Sequence, residues 1–567
     1  MRKFIKRFAG PYKKSIAFIL ILIMFQAATQ LLLPFIMAVI VDEGIANNNI
    51  PKIVQMGSVM LIVAGLGVGL AIYANYYISK VTQSVARDAR KDMFYTIARL
   101  SRQQFEAFGE STLTTRTTND VMQVMQFINT LLRVVVMAPI MFIGAMILSI
   151  WMNPTLSVAI FVPLPLIILS VWFIAKKATP LFHNVRDQLD KIHLVLRETL
   201  AGMKVIKLYR KKEHEKQRFK ETNYNYFEFS LTVNRLMNFL TPTIMLILNF
   251  SILGIIWLGS SLISSGNLQV GQLMAFIQYA IQIMFSVVMA SVALAALPRA
   301  TVSAKRMMEV LEELPVSDLS INKNIRQHVK TKPLQFNDVS FYYPGSERPA
   351  LSHVSMTIQP NKVNAIVGGT GSGKSTLLKI LLQFYKPSFG SITVGPGPLH
   401  DFAPSNWRDA VGYVPQKNHL FTGSVEQNIR LGNVSATNEE LSKALDDANL
   451  RTIIERLPNK LQTILNSKAT NMSGGQRQRV SIARAFITDA PIYVFDDSFS
   501  ALDFQTIAQL KDTFQKKAKD STCIISSQDI HTVKYADHIT ILEKGEVVAT
   551  GSYEELTANP KLQVKGE

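Results

Sequence analysis

A single cysteine, Cys523, is all that the 567 residues hold. No internal disulfide can form, and its place in the apolar run TCIIS points to inert packing. Acidic residues are also scarce, 41 against 60 Lys and Arg, for a formal net charge of +19. None of the acids falls in the middle of the long apolar runs of residues 15–300, which argues against a carboxylate-lined cation site there. An A-x-A-like cleavage signal is missing after the first run. That run therefore reads as a retained helix with the interfacial lead-in RKFIKRF, not as a removed signal peptide.

What the chain has in quantity is apolar side chains, 48% of the residues. They gather in six runs, near 15–41, 54–79, 127–152, 155–176, 236–262 and 269–296. A run of about 20 apolar residues spans a bilayer as a helix. The basic residues follow the topology that these runs imply. RKFIKR, RDARK and LYRKKEHEKQRFK lie on one side, whereas the opposite loops carry only Lys52. Residues 1–315 hold 32 Lys and Arg against 17 Asp and Glu. The positive-inside rule then places both ends and the two long loops in the cytoplasm. Charge that follows topology in this way speaks against nucleic acid as a partner.

The two long loops repeat apolar residues at three- and four-residue spacing, so the spanning helices should continue beyond the membrane. A polar stretch, SDLSINKNIRQHVKTKP, then separates two halves. We place a transmembrane domain at 1–315, a linker at 316–332 and a second domain at 333–567. In the second domain short β-rich runs alternate with helical stretches, as in an α/β fold. The expected fold class is a six-helix, all-α transmembrane domain fused to a cytosolic α/β P-loop ATPase domain.

That last assignment rests on VGGTGSGKST, residues 367–376, with a strand-like VNAIV before it and a helical STLLKILLQF after it. Gly368, Gly369, Thr370, Gly371, Ser372, Gly373, Lys374, Ser375 and Thr376 form a loop whose backbone N–H groups can surround phosphate oxygens at a helix N-terminus. Lys374 would pair with the β- and γ-phosphates, and Ser375 would ligate Mg²⁺. The run YVFDDSFSALD reads as a hydrophobic strand that ends in Asp496, a second Mg²⁺ ligand.

Between these two motifs lies MSGGQRQRVSIARAF, in which Ser473, Gly474, Gly475 and Gln476 closely resemble the signature of ATP-binding cassette proteins. Other matches follow in the family's order. Tyr343 in VSFYYPG matches the aromatic residue that stacks on adenine, with Tyr342 its neighbour. Gln416 in VGYVPQ matches the glutamine that links Mg²⁺ to the membrane half. Ser500 to Asp503 match the SALD loop. The resemblance covers the whole chain and implies an exporter half-transporter of the bacterial multidrug type. Its ATP would be sandwiched between one subunit's phosphate loop and the other's signature. GESTLTTRTTND and ETLAGMKVIK resemble the regions that touch the cassettes.

Three positions depart from that family. Asp497 stands where a Glu polarises the attacking water, and Gln528 stands where a His contacts the γ-phosphate. His531 aligns with a different position. LNSKATNM, with Ser467, replaces a VGERG-like run. An Asp carboxylate sits about 1.5 Å, one C–C bond, further back than a Glu carboxylate. Gln, unlike His, offers no proton switch near neutral pH. The parts used on this chain's own ATP are therefore altered, whereas the signature lent to a partner is whole. That division implies a heterodimer whose other half-transporter carries the Glu and the His and an altered signature. A slow homodimer is the alternative.

For the transported compound the sixth run offers Phe276, Tyr279, Met284, Phe285 and Met289 with Gln278 and Gln282, and Arg133 lies at the inner end of the third. Soft apolar side chains suit lipophilic or amphiphilic molecules, and drugs are what the resemblance implies. Lipid or peptide export, or an ATP-gated channel or regulator, is the other class.

Overall fold

The computed structural model describes residues 1–313, 325–499 and 502–558. Six helices in these residues are long and apolar enough to cross a membrane: Arg2–Ile45, Ile50–Arg99, Glu110–Met152, Pro154–Ala201, Lys212–Ser264 and Val270–Ala290. At 1.5 Å per residue, the 50 residues of Ile50–Arg99 extend about 75 Å. A bilayer with its headgroups takes about 40–45 Å of that, so the helix runs well past the membrane.

One compact unit holds Met1–Ala98 and Gly109–Glu313. Large apolar side chains such as Leu61, Trp151 and Trp257 face outward and are more than two-thirds exposed, as lipid-facing positions must be. Its interior packs Ala27, Leu31, Ala145, Leu156 and Ile255 against Phe276, Tyr279 and Ile283. Small residues at the first and third spans let the backbones approach. Asp42, at the end of the first span, accepts hydrogen bonds from the backbone N–H groups of Gly271 (2.6 Å) and Gln272 (3.0 Å). It thereby satisfies orphan donors where the helix Val270–Ala295 begins.

The second unit comprises Arg99–Phe108 and the described residues of Leu314–Glu567. Of the linker 316–332, residues 316–324 lie outside the described residues, and Ile325–Lys330 is helical. The core of this unit is a six-stranded sheet. From one edge its order is Glu546–Gly551, His538–Glu543, Val363–Val367, Thr522–Ser527, Ile492–Asp496 and Val411–Val414. The first pair is antiparallel and the rest are parallel. Side chains alternate between two cores, with Val363, Ala365, Val367, Tyr493 and Phe495 on one face and Ile366, Val494 and Ile524 on the other. Parallel strands buried on both faces read as the continuous apolar runs seen in the sequence. Cys523 lies inside the sheet, where burial pushes its thiol up to about 12. A second, antiparallel sheet joins Leu351–Ile358, Leu334–Phe341, Phe389–Val394 and Gly397–Pro398.

Candidate functional site

Four of the parallel strands end side by side, and each hands its next residues to one site. Val367 leads into Gly368, Val414 into Gln416, Phe495 into Asp496 and Asp497, and Ser527 into Gln528. Ligands of open α/β sheets bind at the carboxyl ends of the strands.

The phosphate loop closes tightly here. A Cβ on Gly368 would meet the Leu542 carbonyl oxygen at 2.2 Å, and one on Gly373 (φ 104) would meet the Leu351 side chain at 2.7 Å and the Ala350 carbonyl oxygen at 2.9 Å. Both positions therefore need glycine. Gly369, Thr370 and Gly371 form the exposed rim, whereas Ser372, Lys374 and Thr376 are buried. The Lys374 ammonium donates to the carbonyl oxygens of Gly368 (2.6 Å) and Gly369 (2.9 Å) and to Ser372 Oγ (3.4 Å). Burial lowers its pKa, against the attraction of Asp497 and Asp496.

Ser375 Oγ donates to Asp496 Oδ1 at 2.8 Å. Burial raises the Asp496 pKa, and hydrogen bonds from Ser375 and Ser526 oppose that rise. A hydroxyl beside a buried carboxylate is a donor pair suited to a hard divalent cation.

Asp497 is held from three sides. Its backbone is left-handed (φ 45), a conformation that Asp tolerates better than most residues. Its N–H donates to Ser526 Oγ at 2.8 Å. Its Oδ2 accepts from Gln528 Nε2 at 2.8 Å and from Gln416 Nε2 at 3.2 Å. The Thr370 hydroxyl in turn reaches Gln528 Oε1 at 3.4 Å. His531 turns elsewhere, with its Nδ1 2.8 Å from the Tyr553 hydroxyl. Ser526, which touches both acids, was not legible in the run TCIISS. A polar residue facing the interior of a buried strand was the available signal.

Tyr343 is half-buried, its hydroxyl 3.1 Å from Thr376 Oγ1. Its ring packs edge-on against Phe341 and Tyr385 at centroid distances of 5.0 and 5.5 Å. Tyr342 is exposed. Tyr385, missed by the sequence reading, donates its hydroxyl to Glu106 on the helix Arg102–Phe108. Burial pushes the Tyr385 hydroxyl up to about 12, with Glu106 adding to the rise. Burial alone would raise Glu106, yet hydrogen bonds from Tyr385 and Arg102 hold it below the ordinary carboxylate range. The segment that packs with the cassette is thus Arg99–Phe108, just ahead of GESTLTTRTTND. Gly109 (φ 78) ends that helix and starts the next.

The signature residues stand apart from these contacts. Ser473 caps the helix Gly474–Phe486. Its hydroxyl accepts from the Gln476 N–H (3.3 Å), and the Gln476 side chain accepts from the Ser473 N–H (2.9 Å). Ser473 and Gly474 are exposed, and Gly475 is half-buried. Among the described residues no hydrogen bond joins them to the phosphate loop. Asp503 caps the helix Phe504–Lys517 through Thr506, which holds its carboxyl below the usual range. Ser500 lies outside the described residues. Ser467 opens a tight turn in which Lys468 (φ 62) and Ala469 (φ 48) are both left-handed.

In the membrane unit the sixth span sorts its candidate side chains by helical phase. Phe276, Tyr279 and Met284 are fully buried in the protein, and the Tyr279 hydroxyl donates to the Leu31 carbonyl oxygen at 2.9 Å. These three are packed inside the protein and do not line the cavity that their neighbours form, which departs from the cargo role expected of them. Gln282, Phe285 and Met289 repeat at three and four residues on another face. They line a cavity of about 540 Å³ together with Arg133. Gln278 is exposed.

A membrane half with six spans and a cassette with this loop, acid and signature define a transporter that works on ATP. The chain belongs to the ATP-binding cassette (ABC) transporter family. Residues 16–287 match the ABC transporter transmembrane region and residues 351–500 match the ABC transporter family. It is similar to the ABC transporter ATP-binding protein YfiB of Bacillus subtilis, with 36% identity over 98% of this chain and 96% of that one. An ATP-dependent lipid A-core flippase of Desulfotalea psychrophila is 30% identical over 88% and 86% of the two chains. The fold is that of a solved bacterial Atm1-family ABC exporter with ATP bound. The TM-score is 0.80 at 22% identity, covering 97% of each chain. The protein is thus a multi-pass membrane protein of the ABC exporter class, a half-transporter with an ATPase cassette. The fold class expected from the sequence is the one observed.

Proposed function

We propose that this chain is the subunit of a heterodimeric exporter that binds ATP at a degenerate site of its own and lends an intact signature to its partner's hydrolytic site. The transported compounds are lipophilic or amphiphilic, drugs among them, and the membrane is the plasma membrane of a bacterium with both chain ends in the cytoplasm. The observation that carries this reading is the tethering of Asp497. Its shorter carboxylate accepts from two side-chain amides, Gln416 and Gln528. A general base has to reach the attacking water within hydrogen-bond distance. The exposed, capped Ser473 is free to meet a second cassette. The kinship with a flippase named for lipid A-core supports an amphiphilic cargo.

The nucleotide site fits ATP with Mg²⁺. Lys374 would exchange its loop carbonyls for phosphate oxygens. Ser375, Asp496 and Gln416 would hold the cation, whose role is to neutralise charge on the phosphates. Among the described residues no three His, Cys, Asp or Glu gather at one point.

The test of export is ATP-dependent accumulation of a fluorescent amphiphile in proteoliposomes that contain both subunits. Uptake against a gradient is expected. ATP-gated leak without accumulation would instead identify a channel or regulator.

Tyr343→Ala is expected to weaken binding of a fluorescent ATP analogue to this chain by ~1–3 kcal/mol, the range for base–aromatic stacking. Unchanged affinity would move the stacking role to Tyr342.

A further inference from the structure

The third span is not a plain α-helix. Its turn Leu131–Val135 is π-helical. Pro139 follows, and its ring clashes with the carbonyl of the residue four before it, here Val135, if the helix stays straight. The widened turn carries Arg133, and π turns concentrate at functional sites. Arg133 lines the 540 Å³ cavity together with Gln26, Gln30, Asn75, Gln282 and Phe285. That volume falls in the range of small-molecule sites, about 300–1,000 Å³.

The charge of this cavity is uncompensated. Neither Asp nor Glu is among the described residues that line it. Arg133 has no hydrogen bond or ion pair among the described residues. The Gln282 side-chain oxygen, also in the lining, is cut off from solvent without a partner among the described residues. A buried polar atom left open in this way costs free energy unless something meets it, whereas the Arg133 side chain is exposed and able to reach a ligand. Position adds a second constraint. The span ends at Met152, about 28 Å beyond Arg133 along the helix, close to the full hydrocarbon thickness of about 30 Å. Arg133 therefore lies at the headgroup level, with Met137 and Met141 one and two turns deeper on the same face.

We propose that this cavity binds an acidic amphiphile, a single phosphate or carboxylate on an apolar body, entering from the cytoplasmic leaflet. Arg133 holds the anion through paired charge-assisted hydrogen bonds. The side-chain amides of Gln26, Gln30, Asn75 and Gln282 meet the polar groups next to it. The apolar body lies along Met137, Met141 and Phe285. A cationic amphiphile of the same shape meets an unpaired positive charge instead. This assignment rests on the exporter reading and names its substrate class.

The experiment measures binding without ATP, using the full chain in an uncharged detergent. The probes are a fluorescent acyl-glycerol phosphate, the neutral acyl-glycerol of the same chain length and a quaternary ammonium amphiphile, with inorganic phosphate as competitor. The acidic probe is expected to bind about tenfold more tightly than the neutral one, one charge-assisted contact. Arg133→Gln should abolish that preference and Arg133→Lys should keep part of it. Inorganic phosphate at millimolar concentration should not displace the probe. Binding of a fluorescent ATP analogue by each variant checks that it is folded. If Arg133→Gln fails that check, the probe comparison on the wild type and Arg133→Lys decides. Equal affinity for acidic and neutral probes, tighter binding of the cation, or a preference that survives Arg133→Gln would overturn the proposal. Complete displacement by inorganic phosphate would overturn it too, by making the site one for free anions. ATP-driven accumulation of a neutral amphiphile without acidic preference overturns this assignment and leaves the exporter reading standing. Acidic preference without ATP-driven accumulation does the reverse.

Discussion

Purified alone, the chain is expected to hydrolyse ATP barely above background, and co-expression with its partner half-transporter should restore turnover. A homodimer would build both composite sites from Asp497 and Gln528. The Asp497 carboxylate begins about 1.5 Å further back than a Glu carboxylate would, and misplacing a catalytic group by about 1 Å costs on the order of 10²-fold. Rotation cannot recover the distance cheaply. The carboxylate is tied to Gln416 and Gln528, and the backbone beneath it is tied to Ser526. Steady-state phosphate release by the lone chain should thus fall on the order of 10²-fold below the co-purified pair. Lys374→Ala serves as the control for contaminating ATPases. Robust release by the chain alone, abolished by Lys374→Ala, would replace the heterodimer with a homodimer.

The second large effect separates the two composite sites. In the co-purified pair, Ser473→Ala with Gly475→Asp should remove most ATPase and transport activity, whereas Asp497→Asn should change turnover only about several-fold. The double change deletes a hydroxyl donor and sets a carboxylate near phosphate held by the partner. Losing one donor to a developing charge costs about 10²–10³ in rate. Its structural side effects are limited. Loss of the Ser473 cap costs about 1 kcal/mol, and an acid in the first turn of the helix is favourable to the helix dipole. A melting curve close to that of the wild type would therefore show that turnover was lost at the phosphate. Asp497→Asn keeps the shape of a side chain that already sits too far back. Asp497→Glu alone should not create a second fast site, because Gln528 remains. If Asp497→Asn abolishes turnover while the signature variant works normally, the hydrolytic machinery belongs to this chain and the assignment is inverted.

Much of this was legible in the sequence because the signals are local. Apolar runs of bilayer length mark the spans, and the phosphate loop and signature are contiguous words whose spacing carries their chemistry. The parts that were not legible depend on phase and on contacts distant in sequence. Phe276, Tyr279 and Met284 look as suitable for a cargo as Phe285, and only the rotation of the helix separates packing from cavity. Tyr385 and Glu106 lie 279 residues apart, beyond the reach of any periodicity. Ser526 is one polar letter in an apolar strand. It meets Asp496 and Asp497 only because parallel register sets it beside Asp496.

Lys374 has a consequence for how nucleotide arrives. Its ammonium acts as a placeholder that pins the loop through the carbonyl oxygens of Gly368 and Gly369. These contacts lie within the loop itself and fix its curvature. Binding then becomes an exchange of acceptors rather than the ordering of a slack chain, and little backbone freedom is left to lose. A cassette preorganised in this way can hold ATP firmly even where it seldom cleaves it. In the heterodimer proposed above, such a nucleotide would serve as lasting glue between two halves while the partner does the cycling.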